Sequence, residues 1–166
     1  MTMQREQPQI HVRLAVADDA YSIASVLHAA FAEYESVYTP EAFAATTPTS
    51  DRILARFDEG PVWVAVRDDT MVGTVAAVPR GDALYIRSMA VLPAARGWEI
   101  GALLFGRVER FAAAHGHTRL VLSTTPFLTR ATRLYERLGL RRSEGGPQEL
   151  YGTPLFTMVK LLPPAE

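Results

Sequence analysis

The greatest capacity for chemistry in this sequence lies between Ala83 and Phe111. A run of β-forming residues, Ala83-Leu-Tyr-Ile-Arg-Ser-Met-Ala-Val91, stops at Pro93. A turn containing Arg96, Gly97, Trp98, Glu99 and Gly101 follows, and a helix then carries Ile100, Leu103, Leu104, Val108 and Phe111 on one stripe. A strand, a glycine-containing turn and a helix N-terminus bring unpaired backbone N–H groups and the positive end of the helix dipole to one point, which is the chemistry of phosphate binding. Arg96 adds a cation beside such an anion. The histidines offer less: His28, His115 and His117 have no acidic or thiol companions at ligand spacing, so they read as surface and helix-end residues and no metal site is expected.

These groups need a scaffold. With 166 residues, 48% of them hydrophobic, the chain suits one compact domain that buries a core without metal or disulfide support. A formal net charge of −1 supplies no global field for nucleic acid or anionic lipid, so neither is an expected partner. The absence of cysteine removes disulfides, thiolate nucleophiles and thiolate metal sites. Met1 to Gln9 is polar and reads as a flexible N-terminus (residues 1–9), and no apolar run is long enough to cross a bilayer, which makes the cytoplasm the expected location.

Taken in order, Val12, Leu14 and Val16 alternate with His11, Arg13 and Ala15, predicting a strand with the aliphatic residues inward. Asp18 or Asp19 caps a helix with Ile23, Val26, Leu27, Ala30 and Phe31 on its face. Glu33 to Thr49 has no sustained period and reads as a loop, in which Glu33, Tyr34, Glu35 and Tyr38 are candidates for a cation-friendly acceptor pocket. Ser50 or Asp51 caps a helix through Ile53, Leu54 and Phe57. Val62–Val66 and Met71–Val78 then form a hairpin about Arg67-Asp-Asp-Thr70, with Gly73 marking a bulge. Beyond the central helix, Leu120 to Leu122 form a buried strand. Ala131, Leu134, Tyr135 and Leu138 share a helix face closed by Gly139, and Leu155 to Leu161 alternate as a last strand. The order predicts a mixed sheet covered by helices, with parallel pairing confined to the strands that flank the helices at 99–114 and 129–138.

Three segments, in this order, resemble the GCN5-related N-acetyltransferase (GNAT) family. Tyr85-Ile-Arg-Ser-Met-Ala-Val-Leu-Pro93 followed by Arg96-Gly-Trp-Glu-Ile-Gly-Ala-Leu-Leu104 is similar to the family's central strand and its acyl-CoA pyrophosphate loop, (Gln/Arg)-x-x-Gly-x-(Gly/Ala). Ala131-Thr-Arg-Leu-Tyr-Glu-Arg-Leu-Gly-Leu140 is similar to the late helix with its tyrosine, and Phe156 to Leu161 to the last strand. The resemblance covers residues 10–162 as a single acetyltransferase domain. It implies an α/β (α+β) fold with a mixed, mostly antiparallel sheet flanked by helices, its parallel central strands splayed around an acyl-CoA cleft. It also implies acetyl-CoA as co-substrate, direct acetyl transfer to an amine of a small molecule or protein, and a homodimer as an assembly state.

Residue by residue, the resemblance implies that backbone groups of Met89, Ala90 and Val91 hold the pantetheine arm and polarise the thioester. Arg96, Gly97, Trp98, Glu99, Gly101 and Ala102 would cradle the diphosphate, and Tyr135 would be the acid for the departing thiolate. Arg130 and Arg133 are candidates for the 3′-phosphate. Two positions depart from the pattern. Tyr85 stands where many members carry a glutamate base, leaving ordered water or an acid from another segment to take the amine's proton. Glu99 replaces the loop's first glycine; facing the diphosphate at about 5 Å it would repel it by roughly 3 kcal/mol, whereas pointing outward in the first helical turn it would favour the dipole. The expectation is outward. A second reading is an acyl-CoA-sensing module that has lost turnover.

Overall fold

A computed structural model describes residues 9–164, so the expectation for residues 1–9 falls almost wholly outside the described residues. Strand β1 (Ile10–Leu14) leads through a single 3-10 turn into helix α1 (Ala20–Phe31), whose Ile23, Val26, Leu27 and Ala30 are buried as their spacing requires. Asp19 does not cap the helix with its side chain. Its carboxylate accepts the Val16 N–H at 2.8 Å and pairs with Arg13 at 2.7 Å, which fixes the β1–α1 corner.

The stretch from Glu33 to Thr49 is more ordered than its sequence suggests. Ala32–Val37 forms a 3-10 segment, and Thr39 then caps a short helix α2 (Pro40–Thr46), its hydroxyl accepting the Ala42 N–H with proline in the first turn. Thr49, rather than Ser50 or Asp51, caps α3 (Ser50–Arg56) in the same way. The signal was a Thr-Pro pair at residues 39–40, whose helical role only a following run of two turns reveals.

Strands β2 (Val62–Arg67) and β3 (Thr70–Arg80) form the expected hairpin, with Asp68 and Asp69 both at positive φ. The bulge beside Gly73 is present, but Val72 is its extra residue. Gly73 itself serves close packing: a Cβ there would lie 2.9 Å from Ile100 Cγ2. Strand β4 (Ala83–Val91) and α4 (Ile100–Ala114) follow, then β5 (Arg119–Thr124), α5 (Thr129–Arg137), β6 (Arg141–Ser143), a small hairpin of β7 (Glu149–Leu150) and β8 (Thr153–Pro154), and β9 (Phe156–Leu161).

Seven strands form one sheet in the order β1-β2-β3-β4-β5-β9-β6. Every pairing is antiparallel except β4 with β5. The expectation of a second parallel pair across α5 is therefore corrected, because β9 returns beside β5 in the opposite sense. On one face α4 covers Ala65, Val75, Leu84, Ile86, Leu120 and Leu122; on the other α1 covers Val62, Val64, Val66, Ala76 and Ala90. The buried stripe of α4 is Ile100, Gly101, Leu104, Phe105, Val108 and Ala112, so Leu103, 46% exposed, is turned out of the expected stripe. Leu14 is likewise 59% exposed, since β1 is an edge strand whose outer end no helix covers.

Candidate active site

The site begins with a break in the sheet. β4 pairs with β5 only from Ala83 to Tyr85, opposite Arg119 to Val121. Against β3 its register shifts between Ala76↔Arg87 and Thr74↔Ala90, so Val75 faces both Ser88 and Met89, with Ser88 at φ 55°. Such a bulge bends the strand that carries it. From Ile86 onward β4 parts from β5, and its backbone groups on that edge have no β5 partner.

The wedge opens into a cleft of about 370 Å³ between the end of α1, β4, the turn before α4, and α5. Met89, Ala90, Val91, Arg96, Gly97, Glu99, Gly101, Ala102 and Tyr135 all line it. Trp98 does not. Its ring lies under the Arg67 guanidinium at 3.8 Å, packed toward the β2–β3 turn, so any part it has in the loop is played by its backbone alone.

The turn is built to leave donors free. Ala95 N–H bonds Leu92 O at 2.9 Å and Arg96 N–H bonds Pro93 O at 3.3 Å, and the next closure is Leu103 N–H to Glu99 O at 3.1 Å. Among the described residues no backbone acceptor meets the N–H groups from Gly97 to Ala102. Glu99 is the N-cap of α4 with φ 57° and ψ 27°. That left-handed conformation explains the glycine of the family pattern; glutamate occupies it at a cost of about 1 kcal/mol or more. Gly101 is needed for volume instead. A Cβ there would fall 2.7 Å from Leu134 Cδ2, so its absence lets α5 close over α4.

Arginines line the cleft in three places: Arg96 from the turn, and Arg130 and Arg137 from α5. Arg133 is exposed on the outer side of that helix. Arg137 was not singled out from the sequence, although its spacing of seven from Arg130 already put the two on one helical face. Arg96 is paired with Glu33, which ties the 3-10 segment after α1 to the turn and leaves Glu33 engaged. The expected pocket of Glu33, Tyr34, Glu35 and Tyr38 does not form. Tyr34 lines the cleft, but Tyr38 is 7% exposed inside an aromatic cluster with Phe31, Phe43 and Phe127, and Glu35 is exposed.

Tyr135 is 8% exposed on the inner face of α5. Burial pushes its phenol up to about 12, and the nearby Tyr38 phenol adds to the shift. It is therefore protonated across the neutral range and available as a donor. Among the described residues no group of three or more His, Asp or Glu is placed to hold a metal ion, and no helix is long and apolar enough to cross a membrane.

A mixed sheet parted at β4–β5, with a donor-rich helix N-terminus at the gap, is the architecture of an acyl-CoA-type transferase fold. The family model described as "Acetyltransferase (GNAT) family" matches residues 23–140, and the chain belongs to that family. Its fold is similar to PaiA N-acetyltransferase of Thermoplasma acidophilum, solved in complex with coenzyme A (TM-score 0.79, 16% identity, 93% of this chain and 99% of that one). It is also similar to a GNAT-family acetyltransferase of Staphylococcus aureus Mu50 (TM-score 0.78, 15% identity, 93% and 100%). In sequence it is similar to N-acetylaspartate synthetase of Danio rerio (40% identity over 97 residues, 57% of this chain and 34% of that protein) and of Homo sapiens (36% over 98 residues, 58% and 32%). The chain thus spans about a third of the length of these curated relatives.

Proposed function

We propose that this protein transfers an acetyl group from acetyl-CoA directly to an amine of a small molecule or protein, within one acetyltransferase domain at residues 10–162. The observation that carries this reading is the convergence in one cleft of the unpaired N–H groups at Gly97 to Ala102, the freed edge of β4 and the protonated Tyr135 phenol. The cleft fits an acyl-CoA. A helix N-terminus and three arginines suit its phosphates, and an unpaired strand edge suits the amides of its pantetheine arm. Relatives solved or named as CoA-binding or N-acetylating proteins support the same choice of co-substrate.

The chain's own groups then have three tasks. The α4 turn anchors the diphosphate and Arg96 exchanges Glu33 for it; backbone N–H groups at Met89 to Val91 polarise the thioester carbonyl toward a tetrahedral centre. As the amine nitrogen bonds to the carbonyl carbon and the carbon–sulfur bond breaks, Tyr135 gives its proton to the sulfur, and the amine's proton leaves to water, which in turn reprotonates the tyrosinate. A phenol is intrinsically a weaker acid than a thiol by about 1.5 pH units, or ~2 kcal/mol. Burial raises the Tyr135 phenol further, so its proton moves only as negative charge develops on the departing sulfur. Tyr85 faces away from the acyl-CoA cleft, under Arg80 and 4.5 Å from its guanidinium.

Thermal stabilisation by acetyl-CoA together with CoA release from an amine panel tests the reading; stabilisation without release from any amine would favour the sensing module. A cytoplasmic setting and a homodimer belong to the same proposal. The first is supported by a cysteine-free chain and the second by the family resemblance.

A further inference from the structure

The sheet face opposite α4 is only half covered. α1 lies over β2, β3 and the far end of β4, and a second cavity of about 220 Å³ lies over the near end of β4, β5 and β9. Its position follows from strand alternation: Leu84, Ile86, Leu120 and Leu122 face α4, so Tyr85, Val121 and Ser123 face this cavity. It starts where β4 and β5 are still paired and reaches Ser123, two residues beyond the last pair, Tyr85↔Val121. It therefore borders, from the other side, the gap into which the acyl-CoA cleft opens.

Its chemistry is one-sided. Arg80 and Arg119 line it and no acid does. Along the same face Arg56 donates to Ser88 Oγ at 3.2 Å, and Arg87, the next outward residue of β4, has a buried Nε with no partner. Among the described residues Asp82 lies 3.6 Å from Arg119 and Glu59 pairs with Arg87, while Arg80 and Arg56 form no ion pair. Burial, and then the neighbouring Arg87, lowers the Arg56 pKa, with Glu59 opposing. Within the cavity Thr157 is 6% exposed and its Oγ1 has no hydrogen-bond partner; Ser123 Oγ is buried and unpartnered too. Gly146, at φ 74°, is what leaves Thr157 open, because a side chain there would collide with that hydroxyl. Buried hydroxyls without protein partners, beside an Arg80 guanidinium that forms no ion pair among the described residues, are a costly arrangement unless a ligand or a water completes them.

We propose that this cavity is the acceptor subsite and that the acceptor is a small acidic amine, an amino acid carrying a second carboxylate, held by Arg80 and Arg119 with Thr157 and Ser123 orienting its polar groups toward the gap. The proposal rests on the acetyl-transfer reading and specifies its substrate class. The volume suits an amino acid rather than a folded protein's lysine, and the charge selects against polyamines.

The test uses the full chain saturated with CoA, so that it does not depend on turnover. L-aspartate and L-glutamate should raise its melting temperature where L-asparagine, L-glutamine and putrescine do not, and Arg80→Gln and Arg119→Gln should each abolish that shift while leaving the shift caused by CoA itself intact. With acetyl-CoA, kcat/KM for the acidic amines should exceed that for their amides by roughly tenfold or more, and each variant should erase the difference through KM. Arg119→Lys should restore part of it. Equal or better responses to the amides or putrescine, or acidic-amine shifts that survive both glutamine variants, would overturn the proposal while leaving acetyl transfer standing. Failure of acetyl-CoA to stabilise the protein would instead remove the acetyl-transfer reading on which it depends.

Discussion

The two cavities on either side of the β4–β5 gap are built from different materials. The cleft beside α4 joins main-chain donors, the free N–H groups from Gly97 to Ala102 and the exposed edge of β4, to a lining of apolar side chains and three arginines, with Gly101 admitting Leu134. The cavity on the opposite face is made of side-chain functional groups, Arg80, Arg119, Ser123 and Thr157. Main-chain donors recognise what all their ligands share and are sensitive to volume and to φ; side-chain groups distinguish ligands and are sensitive to charge. The contrast suits a protein whose proposed donor is constant and whose acceptor is particular.

Breaking the donor side at its proposed acid should have the largest effect. Tyr135→Phe is expected to lower kcat by about 10²- to 10⁴-fold while KM for acetyl-CoA stays within about threefold, measured by steady-state CoA release. An unchanged kcat would remove Tyr135 from the mechanism. Next is volume. Gly101→Val forces Leu134 aside, so it should weaken CoA binding by roughly tenfold and lower stability by about 1–3 kcal/mol, read by calorimetric titration and thermal melts. Normal CoA binding by this variant would show that the cleft tolerates a displaced Leu134.

Glu99→Gly separates backbone from side chain at one residue. Relief of the left-handed conformation should raise stability by about 1 kcal/mol and the melting temperature by roughly 2–4 °C. CoA affinity should stay within about twofold if the carboxylate points outward, and a marked tightening would mean that it faces the diphosphate. The smallest effect is expected away from both cavities. The hydrogen bond from Arg13 holds the Asp19 carboxyl below its ordinary value, outweighing the penalty from burial with smaller help from the Val16 N–H and the Arg13 charge. Between the lowered folded pKa and the ordinary unfolded one, the unfolded chain binds more protons, so this stabilisation is full above about pH 4 and is lost as pH falls through the folded pKa. Asp19→Asn should remove about 1 kcal/mol or less at pH 7, given the exposure of Arg13, and should flatten the acid limb without changing CoA affinity.

Much of this architecture could be read from residue order. The helix with Ile23, Val26, Leu27 and Ala30 inward, the Asp-Asp hairpin, and the strand-turn-helix unit at Ala83–Phe111 are local patterns, because periodicity and turn preference act over a few residues. The same locality made the turn at Arg96–Ala102 a candidate phosphate site, whereas Tyr135 was singled out by the family resemblance. Where elements meet, the patterns were insufficient. Leu103 and Leu14 had the right spacing for burial, and only the position of each element against its neighbours left them in solvent. Tyr38 and Glu33 stood in one loop as candidates of equal rank until folding sealed one among aromatics and paired the other with Arg96.

At the stretch from Ala83 to Phe111, the amino-acid order by itself determined a strand, a glycine turn and a helix N-terminus, since each is dictated by neighbours within a turn or two. That Glu99 needs a left-handed backbone, that β4 parts from β5 after Tyr85, and that Arg80, Arg119 and Thr157 come together behind the gap were decided only by tertiary structure. Register shifts and cross-strand neighbours arise between segments far apart in the chain, and no local propensity encodes them.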